Sequence, residues 1–300
     1  MEKIKVKISI IIATRDRRNY VLDLLSDIDN QDHQIFEVIV SDQSTNYKEI
    51  KNKYSFSLIN FQNFNYGPCI SRNQAVGKSS GDILIFLDDD ARIERKFVSE
   101  IISPLIKGKS NASVGSIVDK YGDFKNITKS FKVPENSHFI SEFSRNPSFE
   151  HNAYCNSAPA GCFAIFRNIF IEIGGYDNFF DPNGAGEDRE FALRMMLNGY
   201  AIFYNCNAKL FHLEAGKGGR KSVSKYPTLF FKKNTAYTIY KHLGSFECKL
   251  FIMREIYFRM KLVVKFKMPR TQLRFIMKLY RSVDFKKFDQ HIKAINTIKV

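Results

Sequence analysis

The segment Ile83–Leu87 consists of five large apolar residues, and three aspartates, Asp88, Asp89 and Asp90, follow it without a spacer. Such an apolar run is typical of a strand buried on both faces, as in a parallel sheet covered by helices. Open α/β sheets bind their ligands at the carboxyl ends of strands, which is where these carboxylates stand. Because adjacent carboxylates repel one another, a cation or a donor-rich ligand among them would stabilise the arrangement. We favour a binding site over two structural alternatives, a solvated acidic turn or an N-cap for a helix that starts near Ile93.

Strands and helices alternate over the first 100 residues. The strands predicted before the acidic triplet are Lys7–Ala13, Phe36–Val40 and Phe56–Asn60. Apolar spacing from Asn19 to Ile28 predicts an amphipathic helix. A second helix is expected to follow the turn Tyr66-Gly67-Pro68, to run through Arg72–Val76 and to end at Gly77 or Gly81. This alternation predicts an α/β fold with a doubly wound, mostly parallel sheet and helices on both faces.

The second predicted strand is closed by Asp42, much as the acidic strand is closed by Asp88. Asp42 is therefore either a second ligand-binding carboxylate or a turn-forming residue, and the residues alone do not decide between these roles. The sequence has no GxGxxG after its first strand and no GxxxxGK[ST], which excludes the dinucleotide fingerprint and the P-loop. A nucleotide bound by this chain is expected to be held by carboxylates and a metal.

A second acidic pair, Glu187 and Asp188, follows Gly184-Ala185-Gly186 and precedes a predicted helix over Arg189–Leu197. The helix dipole favours ionised carboxylates at this position, so capping would account for one of the two. A carboxylate pair after a Gly-Ala-Gly segment also suits a general base at the rim of a site. His212 follows a predicted strand, and a single histidine of this kind is more often structural than a metal ligand.

Taken in chain order, these segments resemble the family 2 glycosyltransferases with the GT-A fold. The matching segments are Ser9–Arg15, Val40–Asp42, Ser71–Asn73, Phe86–Asp90, Gly174–Asp177 and Gly186–Asp188, with His212 downstream. Each segment alone is weakly specific, but their order and spacing make the resemblance strong over roughly residues 7–215.

The resemblance implies a role for each matching residue. The residues expected to bind the nucleotide sugar are Ala13, Thr14, Arg15, Asp42, Arg72, Asp88 and Asp89. A Mg²⁺ or Mn²⁺ ion is expected on Asp90, with Asp88 and His212 as further ligands. The general base is expected at Asp188, with Glu187 as the second choice. Such an enzyme would move a sugar from a nucleotide-sugar donor to the hydroxyl of a glycan or lipid-linked acceptor, with inversion at the anomeric carbon.

Two other functional classes remain as alternatives. A sugar nucleotidyltransferase also has an α/β nucleotide-binding sheet, but it needs a glycine-rich basic loop after strand one, where this chain has Ala13-Thr14-Arg15-Asp16. A non-catalytic nucleic-acid-binding protein is suggested by the net charge of +15. Against it, the acidic triplet would repel phosphates unless a metal were bound, so we expect no nucleic-acid partner.

The positive charge is confined to the end of the chain. From Lys217 onward there are 21 Lys and Arg against 4 Asp and Glu, whereas the rest has 25 against 27. Apolar residues at helical spacing, interleaved with Lys and Arg, predict basic amphipathic helices over much of this tail. We therefore expect a catalytic domain over residues 1–216 and a basic helical extension over 217–300. The extension is expected to pack on the catalytic domain, and peripheral contact with an anionic membrane is a further expectation.

The five cysteines are scattered and form no CxxC pair, which favours reduced thiols and a cytoplasmic location. Neither a secretory signal nor a transmembrane segment is expected. Residues 119–158 lack periodicity and are expected to form long loops with short strands.

Overall fold

A computed structural model of the chain describes residues 6–119, 150–219, 227–266 and 269–297. The described residues up to 219 belong to one compact unit and those from 227 onward to a second. The first unit thus reaches past the boundary expected at residue 216, and the loops expected over residues 119–158 lie largely outside the described residues. Within the described residues, no helix combines the length and apolar character needed to cross a membrane.

The first unit is built on a sheet whose described strands number nine. They are β1 (Ile8–Thr14), β2 (Glu37–Asp42), β3 (Ser57–Gln62), β4 (Ile83–Asp88), β5 (Ala91–Ile93), β6 (Ala112–Asp119), β7 (Ala153–Cys155), β8 (Cys162–Phe166) and β9 (Ile202–His212). Their order across the sheet is β3-β2-β1-β4-β8-β6-β9-β5, with β7 paired to β9.

Strand direction confirms the predicted fold class and refines it. β3, β2, β1 and β4 are parallel neighbours, and β6 and β9 run in the same direction as these four. β5, β7 and β8 run in the opposite direction, so half of the sheet is mixed. An apolar run such as that of β8 reads the same in either direction, which is why the sequence did not predict the reversal.

Register places the ends of the central strands together. Ala13 of β1 lies opposite Asp88 of β4, and Thr14 lies opposite Asp42 of β2. Because β8 runs in reverse, its first residue, Cys162, lies opposite Leu87 and next to the acidic triplet.

Five α-helices and a short 3-10 helix at Asn178–Phe180 complete the described part of the first unit. The helices are α1 (Arg18–Asp29), α2 (Pro68–Gly77), α3 (Phe97–Ile106), α4 (Arg167–Glu172) and α5 (Glu187–Leu197). α1 buries Val21, Leu24, Leu25 and Ile28, the predicted apolar face. The segment after the triplet is strand β5, and α3 begins only at Phe97, so the N-cap alternative for the aspartates is wrong.

The second unit is helical, as predicted. Its described elements are α6 (Pro227–Phe266), α7 (Pro269–Ser282) and α8 (Phe285–Thr297). α6 is interrupted at Gly244, whose φ of 87° is incompatible with a continuous α-helix. Within this unit Tyr237 packs edge-on against Phe288, and the Tyr240 hydroxyl donates to Asp289 at 2.7 Å.

β4 is buried on both faces of the sheet, as its apolar run predicts. Ile85 and Leu87 point into a core shared with α1, whereas Phe86 points to the other face. There the Phe86 ring packs against Phe170 at 5.2 Å and Tyr176 at 5.5 Å between centroids.

Removal of the Phe86 ring should therefore destabilise the first unit strongly. We expect Phe86→Ala to lower the free energy of unfolding by about 3–5 kcal/mol because it leaves a cavity in a fully buried aromatic cluster. Urea denaturation followed by circular dichroism measures this. The matched control is Phe64→Ala at a side chain that is 78% exposed, for which a change within about 0.5 kcal/mol is expected. Equal losses in the two variants would contradict the packing described here.

Candidate functional site

A cavity of about 310 Å³ lies at the carboxyl ends of β1 and β4. It brings together most of the residues predicted to form a site. Those lining it are Ala13, Thr14, Arg15, Arg72, Asp88, Asp89, Asp90, Glu187, Asp188 and His212. The predicted site residues therefore converge in space although they span 200 positions of the sequence.

Asp42 is the exception among the predicted residues. It lines a second depression of about 280 Å³, which shares Arg17 with the main cavity. Its carboxylate accepts a hydrogen bond from the backbone N–H of Ser44 at 2.8 Å. The main cavity is lined at this side by Gln43 instead. A nucleotide-binding role for Asp42 thus remains a prediction.

Asp89 is oriented by the end of β1. Its Oδ2 accepts a hydrogen bond from the Thr14 hydroxyl at 2.7 Å, and its Oδ1 accepts one from Arg17 Nη1 at 2.8 Å. Burial raises the pKa of Asp89 to about 6, although Arg17 and Thr14 favour its ionised form. Both carboxylate oxygens of Asp89 accept hydrogen bonds from protein groups, so in this structure Asp89 connects the end of β4 to the end of β1. A contact between Asp89 and a nucleotide sugar remains a prediction.

Asp90 is held from two directions and is almost fully buried. Its Oδ2 accepts the backbone N–H of Ala215 at 2.9 Å and lies 3.2 Å from Arg17 Nη1. Arg17 also donates to the carbonyl oxygens of Ala215 at 3.2 Å and Lys217 at 2.9 Å. Arg17 therefore joins the end of β4 to the segment that follows β9.

Asp88 is paired with a buried cation on α2. Arg72 Nη2 donates to Asp88 Oδ1 at 3.1 Å, and Arg72 Nη1 lies 3.6 Å from Glu187 Oε1. Burial alone would lower the pKa of Arg72, but Asp88, Tyr176 and Glu187 raise it, and the net pKa lies above its ordinary value. Arg72 is thus a permanent cation that connects β4 to the start of α5.

His212 faces the two outer aspartates. Its Nε2 lies 3.3 Å from Asp90 Oδ1 and 3.9 Å from Asp88 Oδ2. The pairing of β9 with β5, which sets His212 opposite Ala91, brings the histidine there. In the described ranges no group of three or more His, Cys, Asp or Glu side chains is placed so that it could hold a metal ion by itself. The imidazole nitrogen and the two carboxylate oxygens nevertheless point to a common region.

Glu187 and Asp188 open α5, as predicted, but their surroundings differ. Glu187 is buried beside Arg72, whereas Asp188 is only partly buried. Asp188 Oδ1 accepts the backbone N–H of Arg189 at 2.8 Å. Gly186 precedes them with a φ of 95°, a left-handed conformation that favours glycine. Of the two carboxylates, Asp188 is the one more accessible to a molecule in the cavity.

Gly161 is a site residue that the sequence did not predict. A Cβ atom at this position would lie 2.1 Å from Asp88 Oδ2, so only glycine leaves room for the aspartate where it stands. Arg17 was also missed. A cation three residues after β1, near an acidic triplet on the neighbouring strand, was the available signal.

Asp181 is a third residue that sequence reasoning missed. Its carboxylate accepts the backbone N–H groups of Cys69 at 3.0 Å and Ile70 at 2.9 Å, at the start of α2. Burial raises the pKa of Asp181, although these two N–H groups favour its ionised form. A Cβ at Gly67 would lie 2.1 Å from Asp181 Cγ, which shows how closely the two segments approach. Asp181 thus caps α2, which carries Arg72, from the segment that leads to Asp188.

Residues 9–174 match the sequence profile of Glycosyl transferase family 2. The GalNAc(5)-diNAcBac-PP-undecaprenol beta-1,3-glucosyltransferase of Campylobacter jejuni is 24% identical over 218 residues, which is 66% of this chain and 65% of that protein. Polypeptide N-acetylgalactosaminyltransferase 8 of Drosophila melanogaster is 29% identical over 141 residues, 44% of this chain and 23% of that protein. The chain thus spans less than two thirds of the length of either relative.

Solved structures show the same fold. The crystal structure of S. aureus TarS 1–349 in complex with UDP-GlcNAc matches with a TM-score of 0.60 and 16% identity, covering 98% of this chain and 88% of that one. The crystal structure of GalNAc-T7 with UDP, GalNAc and Mn²⁺ matches with a TM-score of 0.63 and 15% identity, covering 98% of this chain and 55% of that one. Identities this low establish the fold alone.

The cap on α2 can be tested by stability. Asp181→Ala removes the acceptor for two partly buried N–H groups, so we expect the free energy of unfolding to fall by about 1–2 kcal/mol, the usual effect of losing an N-cap. Urea denaturation measures the change. Asp23→Ala, at an exposed position on α1, is the control and should change stability little. If Asp181→Ala were as stable as this control, the capping role would be wrong.

Proposed function

Because the chain belongs to glycosyl transferase family 2, we propose that it transfers a sugar from a nucleotide-sugar donor to an acceptor hydroxyl with inversion at the anomeric carbon. Family membership makes it a glycosyltransferase rather than a nucleotidyltransferase or a nucleic-acid-binding protein. The observation that carries the finer proposal is the convergence of Asp88, Asp90 and His212 beside Arg72 in one cavity.

The donor's diphosphate is expected beside Arg72. Arg72 is buried, and its Nη1 has no hydrogen-bond partner within the described part of the chain. The charge of Arg72 is paired with Asp88 and Glu187, but a buried N–H group without an acceptor is costly, and a phosphate oxygen would accept this one. The UDP-GlcNAc bound by TarS and the UDP bound by GalNAc-T7, both of the same fold, support a donor of this class.

Asp88, Asp90 and His212 are the residues that we propose to hold a divalent cation together with the donor's phosphates. Asp88 Oδ2 and Asp90 Oδ1 are hard oxygen donors that suit Mn²⁺ or Mg²⁺, and the nitrogen of His212 would favour Mn²⁺ of the two. The other oxygen of each aspartate is held by Arg72 or Arg17, which fixes the orientation of both carboxylates. When bound, such a cation would act as a Lewis acid toward the diphosphate leaving group. The Mn²⁺ in GalNAc-T7 supports this assignment.

Asp188 is proposed as the general base. The acceptor hydroxyl must lose its proton as its oxygen bonds to the anomeric carbon, and a carboxylate within hydrogen-bond reach can take that proton. Glu187 is less suited because it is buried and lies beside Arg72. The positive charge of Arg72 stabilises the ionised carboxylate of Glu187 and so makes it a weaker base. Direct displacement through an oxocarbenium-like transition state inverts the configuration of the sugar.

The acceptor is proposed to be a glycan, carried on a lipid or free. The support is the name of the Campylobacter relative, a transferase acting on an undecaprenol-linked glycan. Since the match spans 65% of that protein, we propose for this chain only the class of acceptor, a glycan, and not the particular glycan that the relative's name gives.

The metal assignment predicts that nucleotide binding depends on the cation. Asp90→Asn should abolish the gain in UDP affinity that Mn²⁺ produces in the wild type, because one of the two proposed oxygen ligands loses its charge. Titration calorimetry with UDP, with Mn²⁺ and with EDTA, measures the gain. Asp23→Asn, an exposed aspartate on α1, should retain it. Equal UDP affinity with Mn²⁺ and with EDTA in the wild type would overturn the metal assignment whatever the variant does.

The base assignment predicts a loss of rate without a loss of donor binding. Asp188→Asn should lower the transfer rate by about 10²–10⁴-fold, the usual cost of removing a general base. UDP-sugar affinity should remain near the wild-type value, because the donor is held from β1, β4 and α2. Rate and affinity are measured on one preparation. Near-wild-type turnover would exclude Asp188 and direct attention to Glu187→Gln. Loss of affinity together with rate would instead place Asp188 at the diphosphate.

A further inference from the structure

The part of α6 that follows Gly244 presents an exposed apolar stripe. At about 100° per residue, Phe246, Met253, Tyr257 and Met260 fall within an arc of roughly 60° on one side of the helix. Their side chains are 70%, 55%, 62% and 44% exposed. The opposite side of the same helix carries the buried residues Cys248 and Ile252. Of the five large apolar side chains exposed between residues 245 and 261, four thus lie on one side of the helix, and Phe258 lies off it.

Basic residues border the stripe on both sides. Lys249 falls on one edge and Lys261 on the other, and both are exposed. The Lys261 ammonium lies 4.5 Å from the centroid of the Tyr257 ring. The two glutamates between residues 245 and 261 lie off the stripe by the same helical spacing. Glu255 pairs with Lys232, and Glu247 is partly buried.

α7 also exposes apolar side chains next to basic ones. It packs on α6, where the Arg259 guanidinium lies over the Phe275 ring. Its Met277 and Tyr280 side chains are exposed, and the neighbouring Arg281 is exposed as well. Apolar side chains that stay in water over two helices indicate a surface that binds something apolar.

We propose that this stripe, Phe246, Met253, Tyr257 and Met260 with Lys249 and Lys261, binds the surface of an anionic lipid membrane. An interfacial helix buries its apolar side chains at the level of the acyl chains while its lysines reach the headgroups. The chain from Lys217 onward, with 21 basic and 4 acidic residues, is further attracted to acidic lipid. The inference concerns the second unit alone and does not depend on the proposed catalytic activity.

Other occupants fit the stripe less well. A second copy of the chain docking through the same stripe would bring like charges together at both edges. A nucleic acid would be met by aromatic rings in a basic groove, whereas two of the four apolar residues of this stripe are methionines, which do not stack on bases.

The experiment is cosedimentation of the full chain with two kinds of vesicle, phosphatidylcholine alone and phosphatidylcholine with phosphatidylglycerol. We expect binding to the acidic vesicles that falls as salt is added. Phe246→Ser with Met253→Ser should weaken that binding at least about tenfold, because two apolar side chains no longer enter the membrane. Its control is Ile106→Ser at a 52% exposed position of α3, which should bind as the wild type does.

A charge-matched pair separates a specific surface from bulk charge. Lys249→Glu with Lys261→Glu should weaken binding at least about tenfold. Lys51→Glu with Lys107→Glu changes the net charge equally at exposed positions of the first unit and should weaken it far less. Thermal unfolding confirms that each variant is folded.

Several outcomes would overturn the proposal. They are absence of binding to acidic vesicles, equal weakening by the two charge-reversed pairs, and wild-type binding by the Phe246→Ser, Met253→Ser variant. A stripe-dependent dimer in sedimentation velocity, or stripe-dependent binding of nucleic acid, would do the same if it occurred without vesicle binding.

Discussion

The carboxylates of Asp88, Asp89 and Asp90 lie together at the end of a buried strand, where water screens their mutual repulsion poorly. Two arginines from different elements offset this repulsion. Arg17, after β1, pairs with Asp89 and Asp90, and Arg72, on α2, pairs with Asp88. The pairing leaves one oxygen of Asp88 and one of Asp90 directed to the region of His212. The two arginines thus neutralise part of the negative charge of the triplet. The oxygens of Asp88 and Asp90 that face His212 remain available to a ligand.

The same two arginines connect the site to the rest of the first unit. Arg17 binds carbonyl oxygens beyond β9, and Arg72 lies against Glu187 at the start of α5. Asp181 adds a third connection because it caps α2 from the segment that precedes α5. Groups proposed to bind the donor and the proposed base at Asp188 are therefore held in one connected network. Loss of Arg17, Arg72 or Asp181 is therefore expected to alter the geometry of the groups that these residues connect.

Much of this could be predicted from the sequence because the signals are local. The apolar run of β4 and the carboxylates after it predicted a buried strand with a site at its end. The structure has the buried strand and places the carboxylates at the wall of a cavity, and the binding role of that cavity stays a prediction. The pairing of Arg17, the space that Gly161 leaves for Asp88, and the cap from Asp181 could not be predicted. Each depends on residues brought together only by the fold, 112 positions apart for Asp181 and Cys69. Strand direction was missed for a similar reason, since the apolar run of β8 is compatible with either direction.

We propose that the end of β4 holds a divalent cation and the diphosphate of a donor. Anomalous diffraction at the manganese edge, from crystals of the protein grown with UDP and Mn²⁺, tests this. We expect one strong anomalous peak near Asp90 Oδ1, Asp88 Oδ2 and His212 Nε2, with the diphosphate next to Arg72. UDP bound in the cavity without such a peak, or a peak at another place in the molecule, would contradict it.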